Sequence, residues 1–92
     1  MNKARVEQHD HKNEFIIFVD DGIVFQSYDS NIAFIDNKGK ITLGYYWDYS
    51  ATTRKHLYSF LRKYSEYNAI NSKKAVERLI KSGEIIYNPD LY

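Results

Sequence analysis

Four short β-prone segments follow one another with only short turns between them, and this spacing constrains the fold more than any other feature. The segments are 15–19, 23–28, 32–36 and 40–43, and the turns contain Asp21-Gly22, Asp29-Ser30-Asn31 and Lys38-Gly39. A parallel crossover needs a connection of about a dozen residues or more, which these turns do not provide. We therefore predict a small antiparallel four-stranded β-meander over about residues 14–43.

Two helices are predicted after the meander. Ser50 is a typical N-cap, and behind it apolar side chains recur with helical spacing over about residues 51–66. They are Thr53, Leu57, Phe60, Leu61 and Tyr64. A second helix is predicted over about 72–82, with Gly83 as its stop. Residues 84–87 can form a short final strand. Both helices must pack on one face of the sheet, because neither layer can bury its apolar side alone, so the fold class is α+β.

The chain of 92 residues is short enough for one domain. Residues 1–12 are polar without periodicity, so we predict a flexible polar leader at 1–12 and a single α+β domain at 13–92. His9 and His11 lie in that leader, where two ligands alone make a poor metal site. We therefore predict no metal, and the sequence contains no cofactor-binding motif.

The compartment is predicted from two absences in the sequence. There is no cysteine, which excludes disulfides and thiolate zinc sites and favours a reducing compartment. No apolar segment approaches the length of about 20 residues that a membrane span needs. The sequence therefore predicts a cytoplasmic protein without membrane association.

The net charge of +1 conceals an uneven distribution. Residues 1–49 carry 5 Lys and Arg against 8 Asp and Glu, whereas residues 50–82 carry 8 against 2. The candidate basic face on the helices consists of Tyr58, Arg62, Lys73, Lys74, Arg78 and Lys81. Cations beside an exposed aromatic residue are typical of nucleic-acid binding. The alternatives are a face that binds an acidic protein surface and an ordinary solvent-exposed helix face.

The entrance to the first helix is a candidate anion or partner-binding site. Free backbone N–H groups, hydroxyls and cations come together there in Ser50, Thr52, Thr53, Arg54 and Lys55. The alternative is an ordinary capped helix.

The segment just before the first helix has more aromatic residues than a linker needs, namely Tyr45, Tyr46, Trp47 and Tyr49. We interpret them as a lid over the core, with an interface as the alternative.

No catalytic constellation is recognisable. The sequence has no nucleophile elbow, phosphate-binding glycine loop or paired carboxylates, so we predict that the protein is not an enzyme. A catalytic role would require a pocket that brings His56 together with Ser27, Tyr28 or Asp29.

Two stretches, FQSYDSNIA at 25–33 and WDYSATTRKH at 47–56 followed by Phe60-Leu61, resemble a family of short uncharacterised bacteriophage and prophage proteins. That family has the pattern "QSYds-IA" and then "WDYS-TT-kh---FL". The resemblance implies a phage or mobile-element origin. It also implies a function by analogy with small phage proteins that bind a host macromolecule, for example to block a defence system.

We therefore predict a small non-catalytic binding protein that acts on a host protein or protein–nucleic acid complex in the host cytoplasm. The first alternative is direct nucleic-acid binding through the basic helical half, and an unrecognised enzyme is the second. The oligomeric state stays open.

Overall fold

A computed structural model describes residues 5–8 and 13–91. The strands are β1 (Arg5–Gln8), β2 (Glu14–Val19), β3 (Gly22–Ser27), β4 (Ser30–Asp36), β5 (Ile41–Leu43) and β6 (Ile85–Tyr87). A short 3-10 helix (Tyr45–Asp48) precedes the helices α1 (Ala51–Tyr64) and α2 (Lys73–Ser82).

The described strands form one sheet in the order β1-β2-β3-β4-β5-β6. Neighbours from β1 to β5 are antiparallel, and β6 pairs parallel to β5, with Ile85 opposite Ile41. The predicted α+β class, the meander and the two helices are confirmed. The final strand is also confirmed, and the connection through both helices is long enough to permit its parallel pairing with β5.

The strand β1 lies within the segment that the sequence analysis assigns to a flexible leader. Its four residues pair antiparallel with β2, from Arg5 opposite Phe18 to Gln8 opposite Phe15. Pairing along a sheet edge uses backbone groups, so a polar segment without hydrophobic alternation can add to the edge. The rest of the predicted leader, with His9 and His11, lies outside the described residues.

The core lies between one face of the sheet and α1. Ile16, Phe25, Ala33 and Leu43 are buried and directly paired along successive strands, so they share this face. Phe60 of α1 stacks on Phe25 with ring centroids 5.3 Å apart. The predicted apolar stripe of α1 therefore packs against the sheet.

Both helices begin at side-chain caps. The hydroxyl of Ser50 accepts from the Thr53 N–H at 3.1 Å, and Ser72 accepts from the Ala75 N–H at 3.2 Å. The helix α1 ends two residues before the predicted end at 66, because Ser65 is extended and its hydroxyl donates to the Leu61 carbonyl at 2.7 Å. Within the described residues, neither helix has the length and apolar character to cross a membrane.

Candidate functional site

A cavity of about 540 Å³ opens where the β3–β4 hairpin, the 3-10 helix and the start of α1 meet. We call it the tyrosine pocket. Its lining residues are Glu14, Ser27, Tyr28, Ser30, Ile32, Tyr46, Tyr49, Ser50, Thr52 and Thr53. Side chains of the sheet and of α1 thus converge on one opening, although they are far apart in the sequence.

The floor of the tyrosine pocket contains a buried acid. Glu14 begins β2 and is only 3% exposed, and it is paired with Ser27 at the end of β3. The imidazole Nδ1 of His56 lies 3.0 Å from the Glu14 Oε1 atom. Burying a carboxyl group is costly without polar partners, so this contact compensates part of the desolvation of Glu14.

The rim of the tyrosine pocket is aromatic. Tyr28, Tyr46 and Tyr49 are 65%, 46% and 74% exposed. The rings of Tyr46 and Tyr49 meet nearly at right angles, at 84° with 5.7 Å between their centroids. Side chains three apart lie on the same side of a 3-10 turn, which places these two rings together. Large exposed rings that surround a cavity are suited to contact with another molecule.

Trp47 points to the opposite side of the 3-10 helix and is 5% exposed, within the core. The lid interpretation of the aromatic segment therefore holds for Trp47. It does not hold for Tyr45, Tyr46 and Tyr49, which remain exposed.

Tyr28 has an unusual backbone conformation. It occupies the first position of the two-residue turn between β3 and β4, with φ of 53°. Among the described residues it is the non-glycine residue with positive φ. Glycine is the preferred residue where a hairpin turn needs positive φ, because a side chain is strained there. With this backbone conformation, the exposed ring of Tyr28 lines the tyrosine pocket.

The structure divides the five candidate anion-binding residues into two groups. Ser50, Thr52 and Thr53 line the tyrosine pocket. Arg54 and Lys55 line a separate groove, because one further step along the helix turns the side chain by about 100°. The three hydroxyl-bearing residues therefore share a cavity with Glu14, and the two cations line a different one.

The separate groove has a volume of about 430 Å³, and half of its lining residues are basic. We call it the basic groove, and it is lined by Ala51, Arg54, Lys55, Tyr58, Arg62, Asn71, Ser72 and Lys73. Asp48 lies beside it: its carbonyl accepts from Arg54 Nη1 at 3.3 Å, and its carboxylate lies 3.5 Å from Lys73 Nζ. Arg62 Nη1 donates to the Ile70 carbonyl at 2.7 Å and so ties α1 to the segment before α2.

Tyr58 differs from its predicted place on an exposed face. It is 8% exposed and belongs to the buried core cluster, which also contains Ile70 and, from α2, Val76. Burial raises the pKa of the Tyr58 hydroxyl above its ordinary value, while the charge of Arg54 and a hydrogen bond from its guanidinium act in the opposite direction. Tyr58 is thus part of the packing between α1 and α2.

The other cations predicted for the basic face are exposed on α2, outside the basic groove. Lys74, Arg78 and Lys81 point to solvent, and Arg78 lines a third groove with Glu66 and Tyr67. The six residues of the predicted basic face therefore do not form one continuous lining.

The sequence analysis missed Glu14 and Ser30 as members of this candidate site, and it considered Ser27 and Tyr28 only for a catalytic pocket with His56. The sequence did contain one indication of the position of Glu14. Glu14 lies two residues before the buried Ile16 in an apolar strand, so both side chains are on the same face of the sheet. Within the residues that the structure describes, no group of three or more His, Cys, Asp or Glu could hold a metal ion.

The catalytic alternative required His56 to meet Ser27, Tyr28 or Asp29. Ser27 and Tyr28 do line the tyrosine pocket, and His56 contacts its floor through Glu14. Nucleophilic catalysis needs the base within hydrogen-bonding distance of the nucleophile. The contact that His56 makes with this pocket is the one to the Glu14 carboxyl group, at 3.0 Å.

The comparisons with known proteins identify a family without a known activity. No curated protein and no solved structure matches the chain. A family of unknown function, DUF8033, matches residues 3–78, which include the meander, α1 and the first half of α2. The tyrosine pocket and the basic groove both lie within the matched residues. The chain therefore belongs to the family of unknown function DUF8033.

Proposed function

We propose that this protein is a non-catalytic binding protein whose tyrosine pocket recognises a segment of a partner protein. The observation that carries the proposal is the exposed ring set of Tyr28, Tyr46 and Tyr49 around a cavity lined with hydroxyl groups. Tyrosine contributes a large, rigid contact area at a small entropic cost, and its hydroxyl adds directional hydrogen bonds. Such residues supply much of the binding energy at protein interfaces.

The strained backbone of Tyr28 supports this proposal. A positive φ at a residue other than glycine costs on the order of 1–3 kcal/mol, and such residues cluster at functional sites. The Tyr28 ring is too exposed to repay that cost by packing in the core. Contact with a partner supplies a reason for a tyrosine at a turn position that suits glycine.

The resemblance to small phage proteins supports the biological context of the proposal. Both stretches that carry it contribute to the tyrosine pocket: the first contains Ser27, Tyr28, Ser30 and Ile32, and the second contains Tyr49, Ser50, Thr52 and Thr53. We propose that the partner is a host macromolecule met in the host cytoplasm. Occupying a defence complex or a nucleic-acid-handling complex is the kind of action that fits a small binding protein of mobile-element origin.

The test is affinity capture from host lysate with four versions of the chain. Wild type and Tyr87→Ala should recover the same partner, because Tyr87 is an exposed tyrosine on β6 outside the pocket. Tyr28→Gly and Tyr49→Ala should lose that partner while they remain folded. If all four versions recover the same proteins in the same amounts, the tyrosine pocket is not the binding site.

Direct nucleic-acid binding is a second candidate, favoured by one observation. Arg54, Lys55, Arg62 and Lys73 line the basic groove, and the N-terminus of α2 points its partial positive charge toward it. Cationic side chains that contact phosphates release counterions, so affinity falls steeply with salt.

Fluorescence anisotropy with single- and double-stranded probes tests this second candidate. Binding at about 50 mM salt should weaken as salt rises, and Lys55→Ala with Lys73→Ala should reduce both affinity and salt dependence. Lys38→Ala, an exposed cation in the β4–β5 turn, is the control. Absence of binding to either probe at low salt would exclude this candidate.

A further inference from the structure

We propose that the tyrosine pocket takes the side-chain ammonium group of a lysine from the partner protein. This inference rests on the proposed function and adds the chemistry of the bound group. Three features of the pocket carry it: an acid at the floor, hydroxyl oxygens on the walls and aromatic faces at the rim.

The charge of the tyrosine pocket favours a cation. Glu14 is the acidic residue among the lining residues, and Arg54 and Lys55 of the neighbouring helix turn face the basic groove instead. The titratable groups in contact with the pocket are Glu14, the three tyrosines and, behind Glu14, His56. An anion would meet the Glu14 carboxyl group without a lysine or arginine in the lining to balance it.

The walls and the rim carry chemical groups that bind an ammonium group. An ammonium group has three N–H donors, and the hydroxyls of Ser27, Ser30 and Thr52 supply oxygens that accept. At the rim, the Tyr46 and Tyr49 rings stand at 84° to each other and form a corner. Cations bind over the faces of aromatic rings, and sets of such rings recognise ammonium groups.

The exposed rim points to a lysine of a protein rather than to a free small ammonium ion. A small ion would leave the Tyr28 and Tyr49 rings in water, since they are 65% and 74% exposed. A peptide segment that inserts one lysine into the cavity covers both rings with its own backbone and neighbouring side chains. Burial of these rings adds hydrophobic stabilisation that a free ion cannot supply.

The experiment is a two-dimensional amide NMR titration of the full chain with four probes. They are the Nα-acetyl methylamides of lysine, arginine and norleucine, and tetramethylammonium. The lysine compound should shift the amides of Tyr28, Tyr49 and Thr52, whereas norleucine, its neutral counterpart, should not. Arginine and tetramethylammonium should bind more weakly than lysine. Binding of either as strongly as lysine overturns the lysine assignment.

Two variants make the outcome decisive. Glu14→Gln keeps the shape of the side chain and should weaken lysine binding by about tenfold or more, because the charge at the floor is removed. Tyr49→Ala should weaken it by severalfold, and it serves if Glu14→Gln does not fold. Equal shifts with lysine and norleucine, or no shifts in the pocket, overturn the inference. In that case the capture experiment separates two explanations. If capture of the partner still depends on Tyr28 and Tyr49, only the lysine inference is wrong. If capture does not depend on either tyrosine, the proposed function is wrong as well.

Discussion

The carboxyl group of Glu14 and the imidazole of His56 lie in contact, with 3.0 Å between Oε1 and Nδ1. The contact joins the first residue of β2 to the second turn of α1. It therefore holds the helix in place over the floor of the tyrosine pocket. Glu14 is buried while His56 is partly exposed. Loss of the contact should therefore cost Glu14 more than His56, because water can reach the imidazole more easily.

Replacing His56 should destabilise the fold through Glu14. His56→Ala removes a polar contact from a buried carboxyl group, and we expect a loss of about 1–3 kcal/mol in the free energy of unfolding. Lys55→Ala, one residue earlier and exposed, is the matched control and should change it by less than about 0.5 kcal/mol. Urea unfolding monitored by circular dichroism measures both. Equal values for the two variants would show that the contact does not stabilise the fold.

Trp47 should contribute more to the stability of the fold than Tyr45, which lies in the same 3-10 helix. Its ring is buried in the core, whereas Tyr45 is exposed. Trp47→Ala should cost about 3–5 kcal/mol, which is much of the total stability of a small domain. Tyr45→Ala should lower the melting temperature only slightly. A thermally silent Trp47→Ala would contradict the burial of this ring.

Two glycines in turns of the meander should respond differently to alanine. A Cβ atom on Gly22 would lie 2.0 Å from the Ile35 carbonyl oxygen, which belongs to the paired strand β4. Gly22→Ala therefore has to separate β3 from β4, and we expect a loss of about 3 kcal/mol or more. Gly39 has φ of 86° and no atom within 4 Å of such a Cβ, so Gly39→Ala should cost only about 1–2 kcal/mol of backbone strain. Melting curves that rank the two variants in the reverse order would contradict the β3–β4 packing.

Tyr58 should lower the free energy of unfolding at alkaline pH. Burial raises the pKa of its hydroxyl above the ordinary 10.0. As the pH rises past about 10, the unfolded chain loses this proton while the folded chain retains it, so ionisation stabilises the unfolded state. The free energy of unfolding should therefore fall above about pH 10, and Tyr58 should contribute no pH dependence well below it.

Tyr58→Phe isolates this contribution. The variant lacks the ionisable hydroxyl, so its free energy of unfolding should fall less than that of wild type between about pH 9 and pH 11. Lysines titrate in the same range in both proteins, and their effect cancels in the comparison. Curves that run parallel over this range would show that Tyr58 has the same pKa in both states.

The meander, the two helices and their starts were predictable because their determinants are local. Asp21-Gly22 and Lys38-Gly39 bend the chain within a few residues, and the turn lengths leave only antiparallel pairing. Ser50 bonds to the N–H three residues ahead of it, within the same helix turn. Such signals act over a few residues, so the sequence of those residues is sufficient to predict them.

The edges of the sheet were predictable only in part. The strand β6 was foreseen as a strand, but its parallel pairing with β5 depends on how the two intervening helices return the chain to the sheet. The strand β1 has no apolar pattern, since an edge strand is held by backbone hydrogen bonds that any residue can make.

The composition of the two candidate sites was decided by the tertiary structure. Consecutive residues of one helix turn separate into two sites, because Thr53 faces the tyrosine pocket and Arg54 faces the basic groove. Tyr58 is buried in the core cluster together with Ile70 and Val76, which lie beyond the end of its own helix. Glu14 and Ser50 line one cavity although β3, β4, β5 and the 3-10 helix lie between them in the sequence. The local pattern determined which residues form strands and helices, whereas the packing of α1 against the sheet decided which side chains meet, since that contact joins segments that are distant in the sequence.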